Sequence, residues 1–308
     1  MRHFYSGFSA RHDDYNAIAI LKSPSGFNEA LELFVQVPGK KYYASEFLKV
    51  SHGGGELEVN LNGDQTAFIF NSKEKLAEQE RKKAELLSPE MVAVSGGTFT
   101  MGCTSEQGSE CGDDERPAHK VTVSDFHIGR YEVTQAQWLA VMGSNPSSFS
   151  GCDSCPVEQV SWDDIQSFLS KLNSMTGKNY RLPTEEEWEY AARGGSQSGG
   201  FKYSGSNDLA TVALYKDNSG SKTHPVGQKS PNELGLYDMS GNVWEWCQDW
   251  YGGYSSGSQC NPRGPSSGSY RVGRGGSWGY DATGTRVSVR YYGSPGFRFN
   301  RIGFRLAL

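Results

Sequence analysis

Two long stretches of this chain, residues 195–243 and 252–269, carry almost no hydrophobic periodicity, and this constrains the fold more than any other feature. Gly, Ser, Asn and Pro dominate both stretches. Long irregular segments are uncommon inside a compact domain unless its loops carry the function. The chain also holds 38 glycines and 12% aromatic residues, which is typical of a fold with many tight turns and few long helices. We therefore predict a loop-rich fold whose loops are its functional part.

Charge and hydropathy exclude two classes of function. The formal net charge is −5, so the chain lacks the basic surface that nucleic acid requires, and we expect no nucleic-acid partner. No apolar run approaches the roughly 18 residues needed to cross a bilayer, so we expect no transmembrane segment. The opening residues Met1-Arg2-His3-Phe4-Tyr5 lack the apolar stretch of a signal peptide.

Residues 1–71 are predicted to form a small β-rich domain. Residues 56–61 alternate polar and apolar side chains as a half-buried strand does. Asn62-Gly63 is predicted to supply a turn and residues 66–70 the return strand of a hairpin. We find no recognisable chemistry in this domain.

Residues 72–89 are predicted to form a linker helix, which leaves residues 90–308 as a second domain. The linker is rich in helix formers, Ser72 can cap its start, and Ser88-Pro89 ends it. Its apolar stripe is too thin for a core helix, which favours a solvated linker over a coiled-coil interface. Within the second domain, Thr134, Ser161 and Thr184 are each predicted to cap a helix.

The cysteines fall into three pairs that are close in sequence: Cys103 with Cys111, Cys152 with Cys155, and Cys247 with Cys260. Each lies in a Gly-, Ser- or Asp-rich setting, so we interpret the pairs as disulfides of an exported protein. Free thiols are a second interpretation. Zinc is a third, since Cys152-Asp-Ser-Cys155 has ligand spacing, but no second pair and no paired histidines complete a tetrahedral site.

Seven sequence blocks together resemble the formylglycine-generating-enzyme (sulfatase-modifying factor) branch of the C-type lectin fold. In chain order they are VSGGTFTMG (94–102), EVTQ (132–135), PVEQVSW (156–162), RLPTEEEWEYAARG (181–194), GLYDMSGNVWEW (235–246), RGGSW (274–278) and IGFR (302–305). The resemblance implies an α+β, C-type lectin-like fold over residues 90–308 and does not reach residues 1–88. Four large side chains within these blocks should be buried anchors whose indole N–H finds a partner, namely Trp188, Trp244, Trp246 and Trp278.

The family's oxidases use a pair of cysteines in the segment that follows the Arg-Gly-Gly-Ser-Trp block. Here no cysteine follows Cys260, and Val287 stands where the resemblance would place a thiolate. Valine can neither ligate copper nor act as a nucleophile. We therefore expect no enzymatic activity. The alternatives are an oxidase relative with altered catalysis, such as a sulfoxide-synthase-like enzyme, whose His-x-x-x-His-x-Glu constellation is missing from the sequence, and a structural envelope protein.

The C-terminal residues, from about 271 to 308, resemble the variable region of diversity-generating-retroelement target proteins of the spirochaete (treponemal) type. In that family, fixed framework residues alternate with positions that reverse transcription diversifies. The resemblance implies a framework of Trp278, Arg286, Arg290, Pro295 and Arg298, with buried ends at 274–278 and 302–306. It implies ligand-contacting, diversified positions at Gly279, Tyr280, Asp281, Thr285, Val287, Val289, Tyr291, Tyr292, Gly293, Ser294, Gly296, Phe297, Phe299, Asn300 and Arg301.

The composition of residues 279–301 also favours binding over catalysis. This stretch contains five aromatic residues and neither Lys nor Glu, with Gly, Ser, Thr, Asn and Arg in much of the rest. Rigid aromatic rings, small residues and guanidinium groups are the composition of antibody-like binding surfaces. We therefore expect a non-enzymatic, surface-displayed binder whose ligand, a protein or a glycan, the sequence does not name. We also expect a monomer.

Two further expectations come from the resemblance alone. Asn242 and Glu245 resemble the family's calcium-binding loop, but they supply too few ligands for us to expect a cofactor. Related variable proteins are exported to the cell surface or outer membrane, often as lipoproteins anchored through an N-terminal cysteine. We therefore expect this location and a lipid anchor, although the chain shows no such cysteine.

Overall fold

The computed structural model describes the backbone of six strands within residues 5–71 and of residues 73–308, and the side chains of residue 78 and residues 80–308. The chain divides into two compact units, Met1–Ala84 and Glu85–Leu308. The boundary lies within helix α1 (Lys73–Leu86), which falls inside the predicted linker range. None of the described helices is long and apolar enough to span a membrane.

The first unit contains two antiparallel sheets of three strands each, with orders β1–β2–β3 and β4–β5–β6. The strands are β1 (Tyr5–His12), β2 (Tyr15–Lys22), β3 (Glu32–Gln36), β4 (Phe47–His52), β5 (Gly55–Asn62) and β6 (Gln65–Asn71). Strands β5 and β6 form the predicted hairpin. Asn62 pairs with Gln65, so it ends the strand rather than beginning the turn, and residues 63–64 lie outside the described residues.

The second unit is built from short elements joined by long loops, as the missing periodicity predicts. Its strands are β7 (Met91–Val94), β8 (Gly97–Met101), β9 (His119–Val123), β10 (Phe126–Gly129), β11 (Trp244–Trp250), β12 (Gln259–Cys260), β13 (Arg271–Arg274), β14 (Arg290–Gly293) and β15 (Ile302–Gly303). Its α-helices are α2 (Gln135–Met142), α3 (Trp162–Thr176), α4 (Glu185–Ala192) and α5 (Leu209–Val212).

Helices α2, α3 and α4 begin where the sequence predicts. Thr134, Ser161 and Thr184 each accept a hydrogen bond from the backbone N–H three residues later, and the side chain of that later residue returns the bond. Gly143 and Gly177 end α2 and α3 in the left-handed conformation, which glycine adopts without steric cost. These local signals fix the helices independently of the loops around them.

The C-terminal residues complete the central sheet of the second unit. The sheet has the order β14–β13–β11–β15, and β15 runs parallel to β11, with Trp244 opposite Ile302. Phe304 and Leu306 then pack into the core formed by α2, α3 and β11. Both ends of the predicted variable region, residues 274–278 and 302–306, are buried.

The tryptophan anchors are buried as expected, and three of the four have a partner. The indole N–H groups of Trp188, Trp246 and Trp278 donate to Glu245 Oε2 (2.7 Å), the Val160 carbonyl (3.1 Å) and the Asn300 carbonyl (2.9 Å). Trp244 is the exception: its buried Nε1 has no acceptor among the described residues. Its ring contacts Tyr280 and Tyr291 instead.

The cysteine prediction is correct for two pairs and wrong for the third. Cys103–Cys111 and Cys152–Cys155 form disulfides, which excludes a zinc site at Cys152 and Cys155. Cys247 and Cys260 are free. Cys247 lies in the core on β11, whereas Cys260 is exposed on β12 beside β9, so the two thiols belong to different sheets.

Candidate ligand-binding surface

Residues 279–301, here called the display segment, are anchored by arginines within the segment and on either side of it that are buried together with carboxylates. Arg286 makes a bidentate pair with Glu115 (2.6 and 2.8 Å), and Arg290 makes one with Glu185 (2.7 and 2.8 Å). The flanking residues follow the same pattern, since Arg274 pairs with Glu189 and Arg305 with Glu245. Removing one partner of such a buried pair costs about 3–5 kcal/mol, because a charge is left without compensation.

The same arginines also hold the backbone of the display segment. Arg274 donates to the carbonyl oxygens of Val287 (3.0 Å), Ser288 (2.8 Å) and Val289 (2.7 Å). Arg290, which lies within the segment, ties it to neighbouring loops by donating to the carbonyls of Asp114 (3.0 Å) and Gly252 (2.9 Å). The path of the segment is therefore fixed by side chains beneath it, although little of it is regular structure.

Burial raises the pKa of Glu115 and Glu185, but their arginine partners outweigh it. Hydrogen bonds from Arg286 and Ser288 bring the net pKa of Glu115 below its usual value. The charges of Arg290 and Arg274 do the same for the pKa of Glu185. Both groups are therefore carboxylates at neutral pH, and the pairs persist as ion pairs.

The rest of the predicted framework lies nearer the surface. The Pro295 carbonyl accepts from the backbone N–H of Asp163 (3.2 Å) at the start of α3. Arg298 makes a bidentate pair with Asp164 (2.7 and 2.7 Å), but its side chain is 55% exposed. These contacts fasten the end of the display segment to α3.

The structure sorts the predicted ligand-contacting positions into three groups. Exposed positions are Asp281, Tyr292, Ser294, Gly296, Phe297 and Phe299. Half-buried positions are Gly279, Tyr280, Val289, Tyr291, Asn300 and Arg301. Buried positions are Thr285, Val287 and Gly293.

The prediction that Thr285, Val287 and Gly293 contact ligand is wrong for this structure. Val287 is fully buried in the core cluster that contains Trp188 and Val272. Thr285 is fully buried, and its hydroxyl donates to the Ala282 carbonyl (3.2 Å). Gly293 lies over the Trp246 ring, where an added Cβ would come within 2.8 Å of the indole.

Tyr291 and Tyr292 point to opposite sides of β14, as adjacent residues of a strand must. The Tyr291 ring stacks on Trp244 (5.3 Å between centroids) and is half-buried. Tyr292 is 50% exposed and contacts Tyr251 (4.6 Å). Two more exposed rings, Phe297 and Phe299, lie 5.9 Å apart farther along the segment.

Two aromatic residues outside the display segment, Tyr270 and Phe149, contact it or its framework and were not predicted from the sequence. Tyr270 is 46% exposed and lies 5.2 Å from the Tyr292 ring, so it extends the aromatic surface. Phe149 approaches Trp278 edge-on at 5.5 Å. Tyr270 directly precedes the predicted region, which begins near residue 271. Its Gly- and Ser-rich surroundings are the sequence signal that could have placed it on this surface. Nothing near Phe149 in the sequence indicates its contact.

The residues that resemble a calcium loop are used within the fold. Both carboxylate oxygens of Glu245 accept from Arg305 (2.6 and 2.6 Å). The side-chain oxygen of Asn242 accepts from the backbone N–H of His224 (3.1 Å), and its amide nitrogen donates to Glu132 (2.8 Å). In the part of the chain that the structure describes, no group of three or more His, Cys, Asp or Glu side chains is arranged to hold a metal ion.

Comparisons with known proteins agree with this architecture. Residues 75–308 match the family described as the sulfatase-modifying factor enzyme 1-like domain. Chaperone protein LppX of Paenibacillus barcinonensis is 37% identical over 62% of this chain and 79% of its own length. The formylglycine-generating enzyme of Mus musculus is 31% identical over 70% of this chain and 74% of its own. The solved structure of Treponema denticola variable protein 1 aligns with a TM-score of 0.64 and 36% identity, covering 70% of this chain and 94% of that one.

Proposed function

The chain belongs to the sulfatase-modifying factor family, and within that family we propose that it is a non-enzymatic protein that binds a ligand through its display segment. One observation carries the proposal. Buried Arg–Glu pairs fix the segment from below, while its outward side presents exposed aromatic rings that have no role in the core. A rigid base under exposed aromatic and small side chains is the arrangement of a binding surface.

The chemistry of the segment supports binding over oxidation. Val287 is enclosed in the core, and none of the described cysteines lies in residues 261–308. The free thiol of Cys247 is buried on β11, and burial raises its pKa well above the usual value, so it stays protonated. Reactive cysteines require the thiolate form and access to substrate.

We further propose that the exposed positions are those that a retroelement diversifies and that the protein is exported and lipid-anchored at the cell surface. The similarity to Treponema denticola variable protein 1 supports diversification. The disulfides Cys103–Cys111 and Cys152–Cys155 support export, because such bonds persist in oxidising compartments.

Two libraries test whether the display segment is a diversified binding surface. The first randomises Tyr292, Ser294, Gly296, Phe297 and Phe299, and the second randomises the buried positions Thr285, Val287 and Gly293. We expect most members of the first library to fold and to yield binders to an arbitrary immobilised protein such as lysozyme. We expect most members of the second to be unfolded. Equal loss of folding in both libraries would refute the proposal.

Two independent measurements test the remaining parts. The genomic locus should hold a reverse-transcriptase gene and a near-copy of the 3′ coding repeat that differs at adenines; their absence would remove the diversification claim. The purified chain, supplied with copper and a Cys-x-Pro-x-Arg peptide, should leave the cysteine unchanged. Conversion of that cysteine to an aldehyde would overturn the assignment as a binder without catalysis.

A further inference from the structure

One arginine of the display segment lacks the partner that its neighbours have. Five arginines in residues 274–305 pair with carboxylates: Arg274, Arg286, Arg290, Arg298 and Arg305. Arg301 has no ion pair and no side-chain hydrogen bond to any described residue, and its Nε is buried without an acceptor. The side chain as a whole is half-buried and its charge has no carboxylate partner among the described residues, so the accessible part of this guanidinium is a candidate for contact with a ligand.

The position of the Arg301 guanidinium is nevertheless well defined. It lies 4.4 Å from the ring centre of Trp278 and 5.3 Å from that of Phe299. A Cβ on Gly279 would come within 2.6 to 2.8 Å of the guanidinium, so glycine at this position makes room for it. The Arg301 carbonyl accepts from the backbone N–H of Trp244 (2.7 Å), which ties its backbone to β11. The charge is therefore pre-organised among aromatic rings.

Resting on the proposed ligand-binding function, we propose that Arg301 receives a carboxylate of a protein partner, from an Asp or Glu that stands beside an apolar or aromatic side chain. A guanidinium binds carboxylate with two parallel, charge-assisted hydrogen bonds. The surrounding rings lower the exposure of the guanidinium to solvent, which strengthens that attraction. The neighbouring apolar side chain of the partner would rest on Phe297 and Phe299.

The polar groups of the surface favour a protein partner over a glycan. Phe297 and Phe299 are exposed and carry no hydrogen-bonding group for sugar hydroxyls. Asp281 is the sole carboxylate of the display segment. Its side-chain oxygen already accepts from the backbone N–H groups of Thr283 (3.0 Å) and Gly284 (3.2 Å). The segment thus offers a cation and apolar rings, but few free acceptors.

The test is a selection of random 12-residue peptides, capped at both ends, on the full chain. We expect the selected peptides to be enriched in Asp or Glu next to an aromatic residue. Replacing that Asp or Glu by Asn or Gln should weaken binding at least tenfold. The Arg301→Gln variant should bind the selected peptides at least tenfold more weakly than the parent chain does, and replacing the Asp or Glu of the peptide should not weaken its binding further. Arg301→Lys should retain part of the affinity. Thermal unfolding of each variant, unchanged from that of the parent chain, shows that the fold is intact.

Lys216→Gln is the matched control, because it removes one exposed positive charge beside the segment without altering Arg301. The Lys216 backbone N–H donates to the Tyr280 carbonyl (2.9 Å), a contact that the substitution keeps. We expect this variant to bind the selected peptides as the parent chain does. An equal loss of peptide affinity in Arg301→Gln and Lys216→Gln would show that binding depends only on net charge, which would overturn the proposal.

The remaining outcomes separate this inference from the proposed function. Selected peptides that bind the segment but do not depend on a carboxylate would overturn the inference and leave the proposed function standing. Binding of a glycan array that contains sialic and uronic acids, with no peptide binder, would overturn the commitment to a protein partner. Neither peptide nor glycan binding, together with failure of the exposed-position library, would overturn both proposals.

Nuclear magnetic resonance supplies a readout that does not depend on selection. Sodium benzoate carries a carboxylate beside an aromatic ring, and benzamide is its neutral counterpart. We expect benzoate, and not benzamide, to shift the Trp278 indole and Gly279 amide signals, and Arg301→Gln to abolish the shift. Equal responses to the two compounds would contradict a carboxylate site.

Discussion

At the scale of single residues, the arginines of the C-terminal region differ in function according to burial and partner. Arg286 is 2% exposed and satisfied by Glu115, so its contribution is to hold the chain in place. Arg298 is paired but exposed, and solvent screens most of its interaction with Asp164. Arg301 is held among rings and has no carboxylate partner among the described residues, which is why we propose that it contacts a ligand. One residue type therefore fills three different roles within sixteen positions of the sequence.

Arg286→Gln is predicted to lower the free energy of unfolding by about 3–5 kcal/mol, because Glu115 would remain buried as an uncompensated charge. Urea denaturation measures this change. Arg298→Gln is the control, and we expect it to change the same quantity by less than about 1 kcal/mol. A loss of similar size in both variants would show that burial does not distinguish the two pairs.

Asp249 is predicted to make the protein less stable as pH rises through neutrality. Its side chain is 3% exposed, and burial followed by the nearby charge of Glu185 raises its pKa to about 7. Because this pKa exceeds that of the unfolded chain, near 3.9, the stabilisation is complete below about pH 4, declines progressively as pH rises from there, and is lost above about pH 7. Asp249→Asn removes this titration, so the variant should gain stability relative to the parent chain between pH 5 and 8.

The size of the Asp249 effect follows from linkage, which gives about 1.4 kcal/mol for each unit of pKa shift and so a difference of a few kcal/mol. Thermal or urea unfolding at a series of pH values measures it. Asp281→Asn is the control, since a hydrogen bond from Thr283 lowers the Asp281 pKa and its titration lies below this range. A stability difference for Asp249→Asn that stays flat from pH 5 to 8 would contradict the prediction.

At the scale of elements, strand β14 joins the anchored part of the display segment to its exposed part. Arg290 begins the strand and is tied to Glu185, while Gly293 ends it against Trp246. Gly296, three residues later, has open space around it, with no backbone or core atom close to an added Cβ. Tolerance of substitution should therefore change abruptly between these two glycines.

Gly293→Ala is predicted to destabilise the protein by about 1–3 kcal/mol, because its methyl group would overlap the Trp246 ring. Gly296→Ala should change the unfolding free energy by less than about 0.5 kcal/mol, as at most exposed sites. Chemical denaturation of the two variants, side by side, checks the comparison. An equal loss of unfolding free energy in the two variants would mean that β14 shifts to accept the methyl group.

The sequence predicted the elements whose signals are local and missed features that depend on distant residues. The start of α3 could be predicted because Ser161 and Asp164, which cap it, are only three residues apart in sequence. The burial of Val287 could not, because the turn that encloses it is fixed by Arg286 on Glu115, 171 positions earlier. The third cysteine pair was wrong for a similar reason, since proximity in sequence did not place Cys247 and Cys260 in one sheet.

At the scale of the whole molecule, the fold class was predictable because seven short blocks occur in a fixed order along residues 94–305. The surface was predictable only in outline. The display segment supplies most of it, but Tyr270 and Phe149 come from outside the segment, and no sequence pattern indicates the contact that Phe149 makes. Because the loops are long, the anchors identify the fold, whereas the limits of the proposed binding surface are difficult to predict.

The division of the chain into two compact units predicts that the second unit folds without the first. The fragment of residues 85–308 is predicted to fold alone, because it contains its own core and both disulfides. Its thermal midpoint should match one transition of the full chain, measured by calorimetry under oxidising conditions. A fragment that is soluble but lacks a cooperative transition would show that residues 1–84 are needed to complete the fold.

The position of β15 has a consequence for any process that alters the coding sequence upstream of it. Ile302 and Gly303 pair with β11, and Arg305 neutralises Glu245 inside the core, yet all three are encoded after the display segment. A frameshift within residues 279–301 would replace them and leave Glu245 buried without a counter-charge. Folding would then act as a check on the reading frame: out-of-frame copies would fail to fold, and in-frame substitutions at exposed positions would be tolerated.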